Sequence, residues 1–149
     1  MVKYQSELHG FFAEFMQDQD ISRLFQVIDS VDSRASDTIL ETGKEADGIY
    51  FVVSGRVAVQ KQTGFGVRKQ VVALLDKGAP VGEGGLLRGV VRAATVVAVE
   101  DSSLLYLSRN SFDQLCEGRP DFGYIFFRWI LERVSMRLQS STERLAHIL

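Results

Sequence analysis

The stretch Gly43-Lys44-Glu45-Ala46-Asp47-Gly48-Ile49-Tyr50-Phe51-Val52-Val53-Ser54-Gly55-Arg56-Val57-Ala58-Val59 reads as turn, strand, turn, strand. Ile49 to Val53 is an unbroken run of β-branched and aromatic side chains, too short for a helix and well suited to a strand, with turn chemistry on either side in Glu45-Ala46-Asp47-Gly48 and Ser54-Gly55. The same beat continues outward. Thr38-Ile39-Leu40, Val71-Val72-Ala73-Leu74-Leu75, Thr95-Val96-Val97-Ala98-Val99 and Leu104-Leu105-Tyr106-Leu107 are further short apolar runs, set apart by Thr63-Gly64-Phe65-Gly66, Asp76-Lys77-Gly78 and Asp101-Ser102. This spacing predicts an all-β barrel or roll.

Helical periods flank it. Between Glu7 and about Asp18, the positions Leu8, Phe11, Phe12 and Phe15 form one apolar stripe. From Ser108 a short helix turns Phe112 and Leu115 inward, and Pro120 opens a long helix from a first-turn position. Along that helix Tyr124, Phe127, Leu131, Val134, Leu138, Ser141, Leu145 and Ile148 alternate spacings of three and four, a heptad seam, while Phe126, Ile130 and Val134 form a second apolar line. A helix of about 30 residues is on the order of 45 Å long. The expectation is therefore one face on the roll and one face on a second copy of the chain. The whole reads as one domain over residues 1–149, with a helical segment to about 23, the roll over about 24–108 and helices from about 109.

Composition narrows the function. At 149 residues, 46% hydrophobic and 24% charged, the chain has the balance of a soluble globular protein. Seventeen Lys+Arg against 19 Asp+Glu leave a net charge of −2, so nucleic-acid binding by this chain alone is not expected. The single cysteine, Cys116, excludes an internal disulfide framework, and with His9 and His147 it supplies no ligand set for a structural metal. Cys116 and the run Tyr124, Phe126, Phe127 and Trp129 read as packing residues. The start of the sequence lacks a signal-peptide pattern and no apolar run reaches a membrane span, which makes the cytoplasm the expected location. No Ser/His/Asp or Cys/His arrangement is visible, so neither catalytic residues nor a metal are expected.

One loop breaks the β pattern. Gly82-Glu83-Gly84-Gly85-Leu86-Leu87-Arg88-Gly89 is too glycine-rich for a strand interior, and Arg92-Ala93-Ala94-Thr95 follows it. Backbone N–H groups made approachable by Gly84 and Gly85, together with a guanidinium, suit an anion such as a phosphate. Glu83 beside them suits a hydroxyl donor such as a ribose 2′-OH, or else an ion pair with Arg92 that ties down the loop.

These blocks resemble the cyclic nucleotide-binding domain family. Val81-Gly82-Glu83-Gly84-Gly85-Leu86-Leu87 followed by Arg92-Ala93-Ala94-Thr95-Val96 is similar to its phosphate-binding cassette, and Gly43 to Val57 is similar to the turn and hairpin that open its β-roll. The resemblance covers about Leu24 to Leu149. It implies a mainly β fold, a double-stranded β-helix of jelly-roll type with an N-terminal helix and a long C-terminal helix. It further implies that Glu83 accepts from the ribose 2′-OH and Arg92 pairs with the phosphate. Gly82 permits the turn, and the N–H groups of Gly85 and Ala93 complete an anion cradle, with Gly84, Leu86 and Ala94 in the same loop. Ala93 stands where members preferring cyclic GMP often carry threonine, so cyclic AMP is the expected ligand. Val81, Gly84-Gly85 and Val91 depart from the family pattern at an aromatic, a bulkier residue with alanine, and a proline. Arg137 to Leu145 resembles the dimerisation helix of the catabolite-activator branch, in which two adjacent hydroxyl residues meet the adenine. Ser141 and Thr142 stand there, although a seam hydroxyl can equally bond its own helix.

The expected function is a regulatory module that binds cyclic AMP without chemistry on it, dimeric through the last helix and passing a conformational change along it. The rivals are a dimerisation or interaction module with a degenerate pocket, and a cupin-like enzyme, which would want strand histidines that this roll lacks.

Overall fold

The computed structural model describes residues 5–63 and 68–149. The chain runs α1 (Gln5–Phe12), α2 (Asp18–Val27), β1 (Asp29–Ser33), β2 (Thr38–Leu40), β3 (Gly48–Ser54), β4 (Val57–Gln62), β5 (Lys69–Leu75), β6 (Pro80–Val81), a 3-10 turn (Glu83–Leu86), β7 (Thr95–Ala98), β8 (Ser102–Ser108), α3 (Arg109–Gly118) and α4 (Pro120–Ile148). Two four-stranded antiparallel sheets, β1-β8-β3-β6 and β2-β7-β4-β5, face each other as a roll.

The continuous apolar runs of β3 and β8 follow from burial on both faces. With a side-chain period of two, Ile49, Phe51 and Val53 of β3 and Leu105 and Leu107 of β8 enter one core with the helices. Val52 and Leu104 point the other way, into a second core between the sheets with Leu40, Val57, Leu75, Val81 and Val96. The helical core is aromatic: Phe12, Phe51, Phe112, Phe122 and Phe126 are fully buried, and Phe15 stacks on Trp129 with centroids 4.7 Å apart.

Each run read as a strand forms one. The turn expected around Thr63-Gly64-Phe65-Gly66 falls mainly on residues outside those described, but β4 and β5 on either side of it pair. Two strands were not legible. β1 is Asp29-Ser30-Val31-Asp32-Ser33, an edge strand with only Val31 turned toward the core, and polar composition is how sheet edges are blunted. β6 is only two residues long and begins with Pro80, which an edge strand tolerates.

The N-terminal helix also needs correction. α1 ends at Phe12, a turn follows, and α2 begins at Asp18, so the helical segment reaches Val27 rather than about 23. The signal for α2 is sparse, since Ile21 and Leu24 alone carry its buried apolar face. The side chain of Leu8 lies outside the described residues, while Phe11, Phe12 and Phe15 all reach the helical core as expected. Asp20 of α2 is 1% exposed, and Arg119 Nε, at the elbow between α3 and α4, lies 2.8 Å from its Oδ1, an ion pair without an aligned hydrogen bond.

α3 starts where Ser108 Oγ accepts from the Ser111 N–H at 3.1 Å, an N-cap. α4 has proline in its first turn and buries Phe122, Phe126, Trp129 and Ile130 against the helical core, with Val134 packed beside them. Its other face is largely uncovered: Tyr124, Leu131, Leu138, Leu145 and Ile148 are exposed, and Phe127, also exposed, sets its ring edge-on to Phe112. Phe112 is buried and Leu115 and Cys116 are half-buried against the same core, but Tyr124 and Phe127 of the aromatic run are not core residues.

Candidate functional site

Between the sheets the roll opens into a cavity of about 300 Å³ whose walls include Leu40, Val59, Leu75, Val81 and Val96 from the strands and Gly82, Glu83, Gly84, Arg92, Ala93 and Ala94 from the glycine-rich loop. Small-molecule sites run from about 300 to 1,000 Å³.

The loop is shaped by two glycines. Gly82 has φ +68°, the left-handed region, and a Cβ there would meet Arg92 Nη1 at 2.6 Å and Leu40 Cδ1 at 2.7 Å. Gly85 has its Cα against the backbone of Gly48, where a Cβ would collide with the Gly48 carbonyl oxygen. Beyond the 3-10 turn the chain runs back along the opening stretch. The Ala46 N–H donates to the Val90 carbonyl at 2.9 Å, the Arg92 N–H to Lys44 at 2.7 Å and the Gly43 N–H to Arg92 at 2.8 Å. The two sequence blocks are therefore neighbours in space, one on each side of Arg92.

Arg92 is 6% exposed. Its Nη1 donates to the Gly82 carbonyl at 2.8 Å, its Nη2 donates to the Gly48 carbonyl at 2.9 Å, and the Asp47 carboxylate approaches Nη2 at 3.5 Å. A full positive charge is thus held in a mostly dry place by carbonyl dipoles and one largely exposed carboxylate, at the wall of a cavity it can address. Beside Asp47, the Tyr106 hydroxyl donates to the Asp47 carbonyl at 3.3 Å and its ring packs on Tyr50 at 4.9 Å. Burial first, then the Asp47 carboxylate, pushes the phenols of both tyrosines up from their ordinary value.

Glu83 does not pair with Arg92. Its carboxylate faces Arg137 of α4, Oε1 to Nη1 3.8 Å, and Arg137 Nη2 donates to the Pro80 carbonyl at 2.8 Å. Arg137 also lines the cavity. Sequence reasoning did not single it out, since it is one of several charged residues along α4, although it lies one turn before Ser141 on the same helical face. Asp47 was read only as a turn residue.

Of the ten candidate positions, Gly82, Glu83, Gly84, Arg92, Ala93 and Ala94 line one cavity. Leu86 is a correction: its side chain is buried in the helical core, anchoring the turn from behind. The Gly85 N–H donates to the Gly82 carbonyl at 3.0 Å within the 3-10 turn, so in this structure it is engaged by the loop itself. Ser141 and Thr142 are exposed and outside the cavity wall. Ser141 Oγ accepts from Arg144 Nη2 at 3.3 Å, and Thr142 Oγ1 donates to its own helix at the Leu138 carbonyl, 2.9 Å.

The profile of the cyclic nucleotide-binding domain matches residues 31–119, more than half of the chain, and the chain belongs to that family. Among curated relatives, it is 35% identical over 99 residues to the cyclic nucleotide-gated potassium channel mll3241 of Mesorhizobium japonicum, covering 66% of this chain and 26% of the channel. It is 30% identical over 112 residues to the cAMP-activated global transcriptional regulator CRP of Salmonella typhimurium, covering 74% of this chain and 51% of the regulator. The chain thus corresponds to about a quarter of one relative and half of the other. A cyclic nucleotide-binding domain from Methylobacillus flagellatus KT shares the fold, with TM-score 0.88 at 22% identity over 99% of this chain and 85% of that one. The fold is the antiparallel roll of this family, flanked by a short N-terminal helix and a long C-terminal one. Among the described residues no helix is long and apolar enough to cross a membrane.

Proposed function

We propose that the chain is a non-catalytic sensor module that binds cyclic AMP in the cavity between the sheets, cyclic GMP less well, and passes the event along α4. The observation that carries this is that Glu83 and Arg92, from the two ends of the glycine-rich loop, and Arg137, from α4, line one cavity. A cyclic phosphate has a single negative charge, which the buried Arg92 guanidinium matches; the ribose 2′-OH can donate to Glu83, and the apolar wall of Leu40, Val59 and Val96 can take the rest of the nucleoside. Glu83 already meets α4 through Arg137, so engaging its carboxylate changes a contact that holds the helix. Ser141, four residues on, lies about 6 Å further along the same face, where the base of a bound nucleotide could reach it once α4 closes or a second chain adds its helix.

The bare seam of α4 supports a homodimer. Tyr124, Leu131 and Leu138 are each about two-thirds exposed at heptad spacing, and covering each large side chain stabilises a pair by about 1.5–3 kcal/mol. Titration of isotopically labelled protein with cyclic AMP tests the site. Amide shifts should centre on residues 82–96 and 137–142; shifts confined to other surfaces would remove the assignment.

A further inference from the structure

Arg109, the first residue of α3, lies behind the cavity wall yet holds both strips of backbone that frame it. Its Nη1 donates to the Ala46 carbonyl at 2.8 Å and to the Leu87 carbonyl at 3.1 Å, and its backbone N–H donates to the Asp47 carbonyl at 2.8 Å. Ala46 and Asp47 lead directly into Gly48, and it is the Gly48 carbonyl and the Asp47 carboxylate that seat the Arg92 guanidinium. Leu87 closes the 3-10 turn that carries Glu83. One nitrogen therefore ties the wall holding the cation to the wall holding the carboxylate, and both to a helix. A cation in the first turn of a helix opposes the helix dipole, so the position is unfavourable for arginine unless those carbonyls offset it.

We propose, resting on the cyclic-nucleotide reading above, that Arg109 is the positioning residue of the anion site. It fixes the spacing between the seat of Arg92 and the Glu83 turn without touching the ligand, and a ligand that draws the two together moves α3 through it.

Cyclic AMP titrated into wild type, Arg109→Gln, Arg92→Lys and the double variant tests this. Arg109→Gln should lose about tenfold in affinity, the scale of a charge-assisted contact. The same substitution should lose less than about twofold once Arg92 is lysine, because no seated guanidinium is left to position. Arg109→Lys keeps the charge but reaches the two carbonyls less well, and should lose about threefold; its own cycle with Arg92→Lys decides if Arg109→Gln does not fold. Equal losses in both Arg92 backgrounds, or no loss in either, would show that Arg109 supports the fold alone and overturn the inference. Failure of wild type to bind would take down the cyclic-nucleotide reading and this inference with it, whereas wild-type binding with additive losses overturns the inference only.

Discussion

Under the proposed function Arg92 has two duties, one in the loop and one toward the ligand, and its substitution should report both. The guanidinium donates to the Gly48 and Gly82 carbonyls; Arg92→Ala removes both bonds, with only Gly82 keeping a second donor in the Gly85 N–H, and should lower stability by about 1–3 kcal/mol, read by thermal unfolding. For cyclic AMP the loss should be larger, about 2–4 kcal/mol or a factor of about 30 to 1,000 in affinity. A variant within threefold of wild type would remove Arg92 from the site. Gly82 is a sharper probe of the loop. At φ +68° an alanine is strained, and its Cβ would press on the same Nη1 and on Leu40. Gly82→Ala should therefore cost at least about 1–3 kcal/mol of stability and weaken cyclic AMP binding, whereas Gly89→Ala, also at positive φ but with open space around its Cβ, should leave binding unchanged. That Gly82, Glu83, Gly84 and Arg92 come together at one cavity was legible, because a glycine-rich break in the strand pattern with a glutamate and an arginine stands out from the sequence around it. That Leu86 turns to the helical core and that the Gly85 N–H closes the turn on Gly82 were not legible, because sequence adjacency does not say which side of a 3-10 turn faces a cavity.

At the scale of elements, α4 reaches the cavity wall. Arg137 is its contact, and spacing alone could not show that this arginine turns toward Pro80 and Glu83. Arg137→Ala should weaken cyclic AMP binding, and in a Glu83→Ala background it should cost little more, because the pair acts as a unit; additive losses in calorimetric titration would deny that Glu83 couples to α4. The exposed seam makes a second prediction. Leu138, 67% exposed, becomes a charge in the proposed dimer interface on Leu138→Glu, which should sediment as a monomer and bind cyclic AMP more weakly by linkage. A monomer of undiminished affinity would separate the seam from the ligand, and with it the adenine roles of Ser141 and Thr142. The heptad was readable because its period is strong; α2 and β1 were not, since one shows two buried apolar residues in ten and the other is a polar edge.

Across the whole molecule, two cores share the strands β3 and β8: one joins the first sheet to the helices, the other lies between the sheets and borders the cavity. This is why the strand runs were unbroken enough to identify the roll from sequence, and under the proposed function few side chains separate the cavity wall from the helices. The N-terminal segment fixes the opposite end, by the Phe15–Trp129 stack and the buried Asp20–Arg119 pair, so the first half of α4 is held there, Arg137 ties it to Pro80 and Glu83, and the turns beyond Arg137 are exposed. Such pairings across elements have no period for a sequence to display. Isothermal titration calorimetry of the folded chain with cyclic AMP, and in parallel with cyclic GMP, addresses the nucleotide site most directly. Saturable binding of one cyclic AMP per chain, tighter than cyclic GMP and abolished or strongly weakened by Arg92→Ala, is the expected result; a folded chain that binds neither nucleotide would contradict it.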